Sequence, residues 1–89
     1  MIHVAVRGRV QGVGCGWFVR ERARELKLVG WVRNLPDGSV EVLAQGEEES
    51  LARLRYSLLA GPTGAHVSSL DELAENPSAP VMQPFGILR

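Results

Sequence analysis

The sequence predicts an α+β sandwich, with two helices on one face of an antiparallel sheet in the order β-α-β-β-α-β. Three observations carry this. Apolar residues alternate with period two at the start of the chain and again on either side of Pro36-Asp37-Gly38. They recur with helical spacing over two intervening stretches, and glycine or proline stands at most changes of period. A split β-α-β arrangement of this kind is the ferredoxin-like α/β sandwich. It hosts many unrelated chemistries, so function has to be argued from particular residues.

Ile2 to Val10 reads as the first strand, with Val4, Val6, Gly8 and Val10 on the core face and His3, Ala5, Arg7 and Arg9 on the wetter one. Periodicity breaks from Gln11 to Gly16, where Gly12, Gly14 and Gly16 alternate with other residues, as in a tight loop. Trp17 to Lys27 reads as a helix whose buried stripe is Val19, Ala23 and Leu26, flanked by Phe18. Val29 to Leu35 and Ser39 to Ala44 form a hairpin across Pro36-Asp37-Gly38, because proline presets φ and glycine tolerates the left-handed region. Trp31 is the expected core anchor of that hairpin. Glu47 to Ala60 reads as a second helix, opened by three glutamates, striped by Leu51, Leu54 and Leu58, and stopped by Gly61-Pro62. A strand over Ala65 to Leu73, a loop over Asn76 to Pro80 and a short last strand over Phe85 to Leu88 complete the pattern. Pro84 suits an edge or a strand start.

Composition narrows the function classes. The 89 residues allow one domain, residues 1–89, with a thin core. Hydrophobic content of 45% and charged content of 22% fit a folded globular chain. Ten Lys+Arg balance ten Asp+Glu, whereas a nucleic-acid binder shows a basic excess. The aromatic residues Trp17, Phe18, Trp31, Tyr56 and Phe85 form no base-stacking motif, which ranks an RNA-binding role last. Arg7 charges the N-terminus too soon for a signal peptide, and no apolar run reaches membrane-spanning length. Cys15, the only cysteine, has no internal disulfide partner. A cytoplasmic monomer is the expectation, without membrane or nucleic-acid partner. His3 and His66 lack metal-ligand spacing, so neither metal nor cofactor is expected.

Chemistry centres on the glycine loop. A strand, a glycine-rich loop and a helix N-terminus can cradle an oxyanion on backbone N–H groups. The same glycines equally suit a tight connection that only has to turn. No Gly-Lys-Ser/Thr follows, so this is not a nucleoside-triphosphate loop, and the dinucleotide spacing is absent too. Four residues separate Cys15 from Arg20, one fewer than in the cysteine phosphatases, so Cys15 is expected in the core rather than as a nucleophile.

Two segments go beyond a generic fold. Gly8-Arg9-Val10-Gln11-Gly12-Val13-Gly14 resembles the phosphate-binding loop of the acylphosphatases. Gly30-Trp31-Val32-Arg33-Asn34-Leu35-Pro36-Asp37-Gly38-Ser39-Val40-Glu41-Val42, followed by Ala44-Gln45-Gly46, resembles that family's second signature. The resemblance runs from about Val4 to Pro62 and resumes at Phe85-Gly86-Ile87-Leu88-Arg89, while Thr63 to Pro84 carries little signal. It implies a hydrolase of the carboxyl–phosphate bond of small acylphosphates that needs no metal or cofactor. It further implies that backbone amides of Gln11, Gly12, Val13, Gly14, Cys15 and Gly16 cradle the phosphate, and that Asn34 orients the attacking water.

One departure matters. The family pattern places an aromatic residue and then an arginine where this chain has Cys15-Gly16. Gly16 therefore marks the position of a missing catalytic arginine, and a guanidinium that grips phosphate bidentately is replaced by a backbone amide. Loss of such an arginine costs about 10³–10⁵ in rate. The expectation is thus a severely impaired or inactive acylphosphatase that Gly16→Arg rescues. The alternative is a non-catalytic module that binds phosphate or another anion. Arg20 is the first candidate to compensate, one turn further along the helix, with Arg7 and Arg9 behind it; all three are expected to be solvated.

Overall fold

The computed structural model describes residues 1–74 and 76–88, so Arg89, part of the terminal segment noted above, lies outside the described residues. The elements are β1 (Ile2–Arg9), α1 (Cys15–Glu25), β2 (Val29–Asn34), β3 (Val40–Gln45), α2 (Glu48–Ala60), β4 (His66–Glu72) and β5 (Gly86–Ile87). The strands form one sheet in the order β4-β1-β3-β2-β5. Each neighbouring pair among the first four is antiparallel, with Val4 opposite Val42 and Val32 opposite Val42 on the next strand. β5 pairs with β2 in parallel, Val32 opposite Ile87, so the sheet is mixed rather than wholly antiparallel.

The helices cover one face. Val4, Val6, Val32, Val40, Val42 and Ala44 meet Val19 and Ala23 of α1 and Leu51, Leu54 and Leu58 of α2 in one apolar cluster, as the two periodicities require. The opposite face departs from expectation. His3 and Ala5 were expected on the wetter side, yet they are buried, as are Glu41, Leu43 and Trp31. The segment between β4 and β5 covers them. Leu73 donates its N–H to the His3 carbonyl, Trp31 Nε1 donates to the Ala79 carbonyl, and Gly30 N–H donates to the Met82 carbonyl. Trp31 is thus fully buried, but against this covering segment and outside the helix-facing cluster.

A charged network fills the same covered face. His3 Nε2 lies 2.5 Å from Glu41 Oε2, and Arg33 Nε donates to Glu41 Oε1 at 2.6 Å. Burial pushes the Glu41 carboxyl up, but the hydrogen bonds from His3 and Arg33 outweigh it and hold the group below the ordinary carboxylate range. The buried Nδ1 of His3 has no hydrogen-bond partner among the described residues, so this histidine is only half satisfied.

Both ends of α1 differ from the sequence reading. It begins at Cys15 rather than Trp17, because Gly14 takes the left-handed conformation (φ 74°, ψ 23°) and its carbonyl already accepts from Phe18 N–H. It ends at Glu25 rather than Lys27. Lys27 is left-handed (φ 59°), Leu28 N–H bonds back to the Ala23 carbonyl and Lys27 N–H to the Arg24 carbonyl. That is the Schellman closure, which satisfies carbonyls a helix end otherwise leaves open.

Candidate functional site

The site begins where β1 runs out. Gln11 to Gly14 form a turn in which Gly12 and Gly14 adopt φ of 80° and 74°, a region that penalises any side chain. The turn delivers the chain into α1, so Cys15 and Gly16 belong to the first helical turn and not to a loop. Their N–H groups are therefore among the donors that have no partner within the helix. No acidic residue stands in that turn, and Gly14 contributes no side-chain cap. The positive end of the helix dipole is left without a counter-charge of its own.

Asn34 comes to the same place by strand geometry. It lies two residues beyond Val32 on β2 and so shares the helix-facing side of the sheet, where it is exposed. A cleft of about 310 Å³ joins the two, lined by Gly16, Val32, Arg33, Asn34, Ile87 and Leu88. Gly16 and Asn34, eighteen positions apart in the sequence, thus border one opening. A Cβ at Gly16 would meet nothing within 4 Å, and its φ lies outside the left-handed region, so a side chain can be built there without strain.

The Gln11 side chain makes contacts that the sequence did not disclose. Its side-chain Nε2 donates to the carbonyls of Leu35 and Ser39, at 2.8 and 2.9 Å. The glycine turn is thereby tied to the hairpin that carries Asn34. That hairpin is itself held by Asp37, which accepts from the Ser39 hydroxyl at 2.6 Å and the Ser39 N–H at 3.0 Å. Those two bonds and the Arg7 guanidinium hold the Asp37 carboxyl down at about 2.

Of the other side chains singled out from sequence, Arg33 alone lines the cleft. Val13 packs its side chain against the core. Cys15 is buried, and burial pushes its thiol up, which fits a core residue and not a thiolate nucleophile. Arg20 was the first candidate to reach the site, but its Nε donates to Glu21 at 3.1 Å and it does not line the cleft. Arg7 is held by Asp71 and Asp37. Arg33 does border the cleft, but its guanidinium is paired with Glu41 and lies 5.5 Å from the centre of the Trp31 ring. His66 is exposed on β4, and among the described residues no three His, Cys, Asp or Glu side chains gather as a metal site. The sequence reading missed Val32, Ile87 and Leu88 as lining residues. The only sequence signal for the last two was the short apolar run after Pro84.

Fold and site together define a class: small α+β sandwiches in which a glycine turn feeds the first helix beside a strand-borne amide. The acylphosphatase family profile matches residues 2–87. The chain is 54% identical over 66 residues to an acylphosphatase of Synechococcus sp., which covers 74% of this chain and 56% of that protein. It is 42% identical over 88 residues to an acylphosphatase of Acaryochloris marina, covering 99% of this chain and 92% of that protein. The crystal structure of acylphosphatase from Bacillus subtilis superposes with a TM-score of 0.85 at 34% identity, over 98% of this chain and 96% of that one. The chain belongs to the acylphosphatase family.

Proposed function

We propose that this chain is a hydrolase of the carboxyl–phosphate bond of small acylphosphates whose turnover is strongly reduced because Gly16 stands where the family resemblance implies an arginine. One observation carries the reading: a helix N-terminus without acidic residues and the exposed Asn34 border the same cleft.

On this reading N–H groups from Gln11 to Gly16 hold the phosphoryl oxygens, supported by the helix dipole. The Asn34 carbonyl accepts a hydrogen bond from water while its NH₂ donates to the anion. The water oxygen bonds to phosphorus as the bond from phosphorus to the acyl oxygen breaks. The carboxylate leaves with the electron pair, and the water proton passes to phosphate or solvent. Because a carboxylate is a good leaving group, positioning and charge stabilisation suffice without a strong base. What is missing is cationic charge on the equatorial oxygens, worth about 10³–10⁵ in rate. The chain acts as a monomer in the cytoplasm, with no nucleic-acid partner. No helix among the described residues is long and apolar enough to cross a membrane.

The test is hydrolysis of benzoyl phosphate by the unmodified chain and by Gly16→Arg, side by side. A rise of about 10³-fold or more in kcat/KM supports the reading. A Gly16→Arg protein that binds phosphate but stays inert overturns it in favour of the second reading, a non-catalytic anion-binding module. The open terminus of α1 favours that second reading independently of turnover.

A further inference from the structure

The cleft lining is of two kinds: Gly16, Asn34 and the paired Arg33 are its polar members, and Val32, Ile87 and Leu88 its apolar ones. Parallel pairing sets Ile87 beside Val32, and cross-strand partners project to the same face. Ile87 sits on the outermost strand and remains 38% exposed, a large apolar surface left open inside the cleft.

This wall is held in place. Leu88 N–H donates to the Val32 carbonyl at 2.8 Å, Arg24 Nε donates to the Phe85 carbonyl at 2.8 Å, and Phe85 is fully buried. Among the described residues the only charged one lining the cleft is Arg33, which already has its partner in Glu41. A charged group beside the apolar lining would lose hydration and gain no unpaired counter-ion from the described lining residues. An apolar group would shed water against Ile87 at no such cost.

We infer that Val32, Ile87 and Leu88 form the acyl subsite, that it selects acylphosphates with uncharged apolar acyl groups, aliphatic or aromatic, over those with charged ones, and that Ile87 is the main specificity residue. The inference rests on the function proposed above, since it assigns the phosphoryl group to the polar lining at Gly16. Pockets of this kind discriminate by about 10–200-fold per methylene-sized apolar contact.

The test reads binding, so it does not depend on turnover. The unmodified chain is titrated by NMR with inorganic phosphate, benzylphosphonate and phosphonoacetate. The amides of Gly12 and Gly14 report the anion, and the methyls of Ile87 and Leu88 report the acyl wall. Benzylphosphonate is expected to bind at least about tenfold more tightly than phosphate and than phosphonoacetate. It should move the Ile87 and Leu88 methyls, and its advantage over phosphate should fall about tenfold in Ile87→Ser. Ile87→Thr, which keeps the branched shape, replaces that variant if Ile87→Ser loses the native spectrum. Equal affinities for the two phosphonates, or an advantage untouched by either variant, overturns the subsite while leaving the anion cradle standing. Absence of any phosphate-dependent shift at Gly12 and Gly14 overturns the cradle, and the subsite with it.

Discussion

The two helices begin in opposite ways. α2 opens on Glu47, with Glu48 and Glu49 in its first turn, and so carries its own counter-charge. α1 opens on a left-handed glycine with no acid in its first turn. The groove beside the start of α2, about 370 Å³, exceeds the cleft beside α1, but Glu25, Glu47 and Glu49 are among its lining residues. Size alone would choose the α2 groove over the cleft of the proposed function. What marks the α1 terminus is uncompensated positive potential beside a polar side chain able to orient water.

The largest expected effect tests whether α1 lacks only charge. Gly16→Arg places a guanidinium in open space and should raise hydrolysis by about 10³–10⁵-fold. The next effect asks whether Asn34 completes the site. In the Gly16→Arg background, Asn34→Ala should lower kcat by about 10²–10³-fold, the range for one lost oriented polar group. The pH–rate profile should stay flat near neutrality apart from the ionisation of the substrate itself, because among the described residues no His, Cys, Asp or Glu lines the cleft. A bell with a limb near pH 6.5 would mean that a histidine takes part, and the positioning account would be wrong.

A smaller effect probes the tether. Gln11→Ala removes two hydrogen bonds to the Asn34 hairpin, while the Leu35 and Ser39 carbonyls keep backbone partners in Gly38 and Leu35 N–H. No buried group is stranded, so stability should change little. Activity of the Gly16→Arg protein should fall about tenfold, the equivalent of roughly one net hydrogen bond. Kinetics unchanged by this substitution would show that the turn and the hairpin hold their relative position without it.

Much of this was legible in the sequence, and the failures share a cause. The stripes Leu51-Leu54-Leu58 and Val40-Val42-Ala44 lie where local periodicity puts them, because each element buries one face against the other. Asn34 and Gly16, both singled out from sequence, border one cleft. The buried state of His3 and Ala5 was not legible, because their cover comes from residues beyond Leu73 that have no periodicity. The apolar wall at Ile87 escaped for a similar reason. Its neighbour is β2, in parallel register, and nothing local encodes that pairing. The helix boundaries moved by two residues where a left-handed residue, Gly14 or Lys27, overrode side-chain pattern.

The finest test exchanges the character of the two helix starts. Gly16→Glu gives α1 the acidic first turn that α2 already has. Replacing glycine within a helix gains about 0.8–1 kcal/mol, and a carboxylate at the N-terminus adds about 0.3–1 kcal/mol. The variant should therefore be more stable by about 1–2 kcal/mol, a rise in Tm of several degrees for a chain this size, and should no longer bind phosphate. In α2, Glu48→Gln should cost only about 0.3–1 kcal/mol and leave phosphate binding unchanged. Thermal melts with and without phosphate read both quantities at once. Opposite signs for stability and binding at Gly16 would show that the open terminus of α1 is held at a cost in stability and used for an anion. Phosphate binding that survives Gly16→Glu would place the anion elsewhere, and the contrast between the two termini would then carry no function.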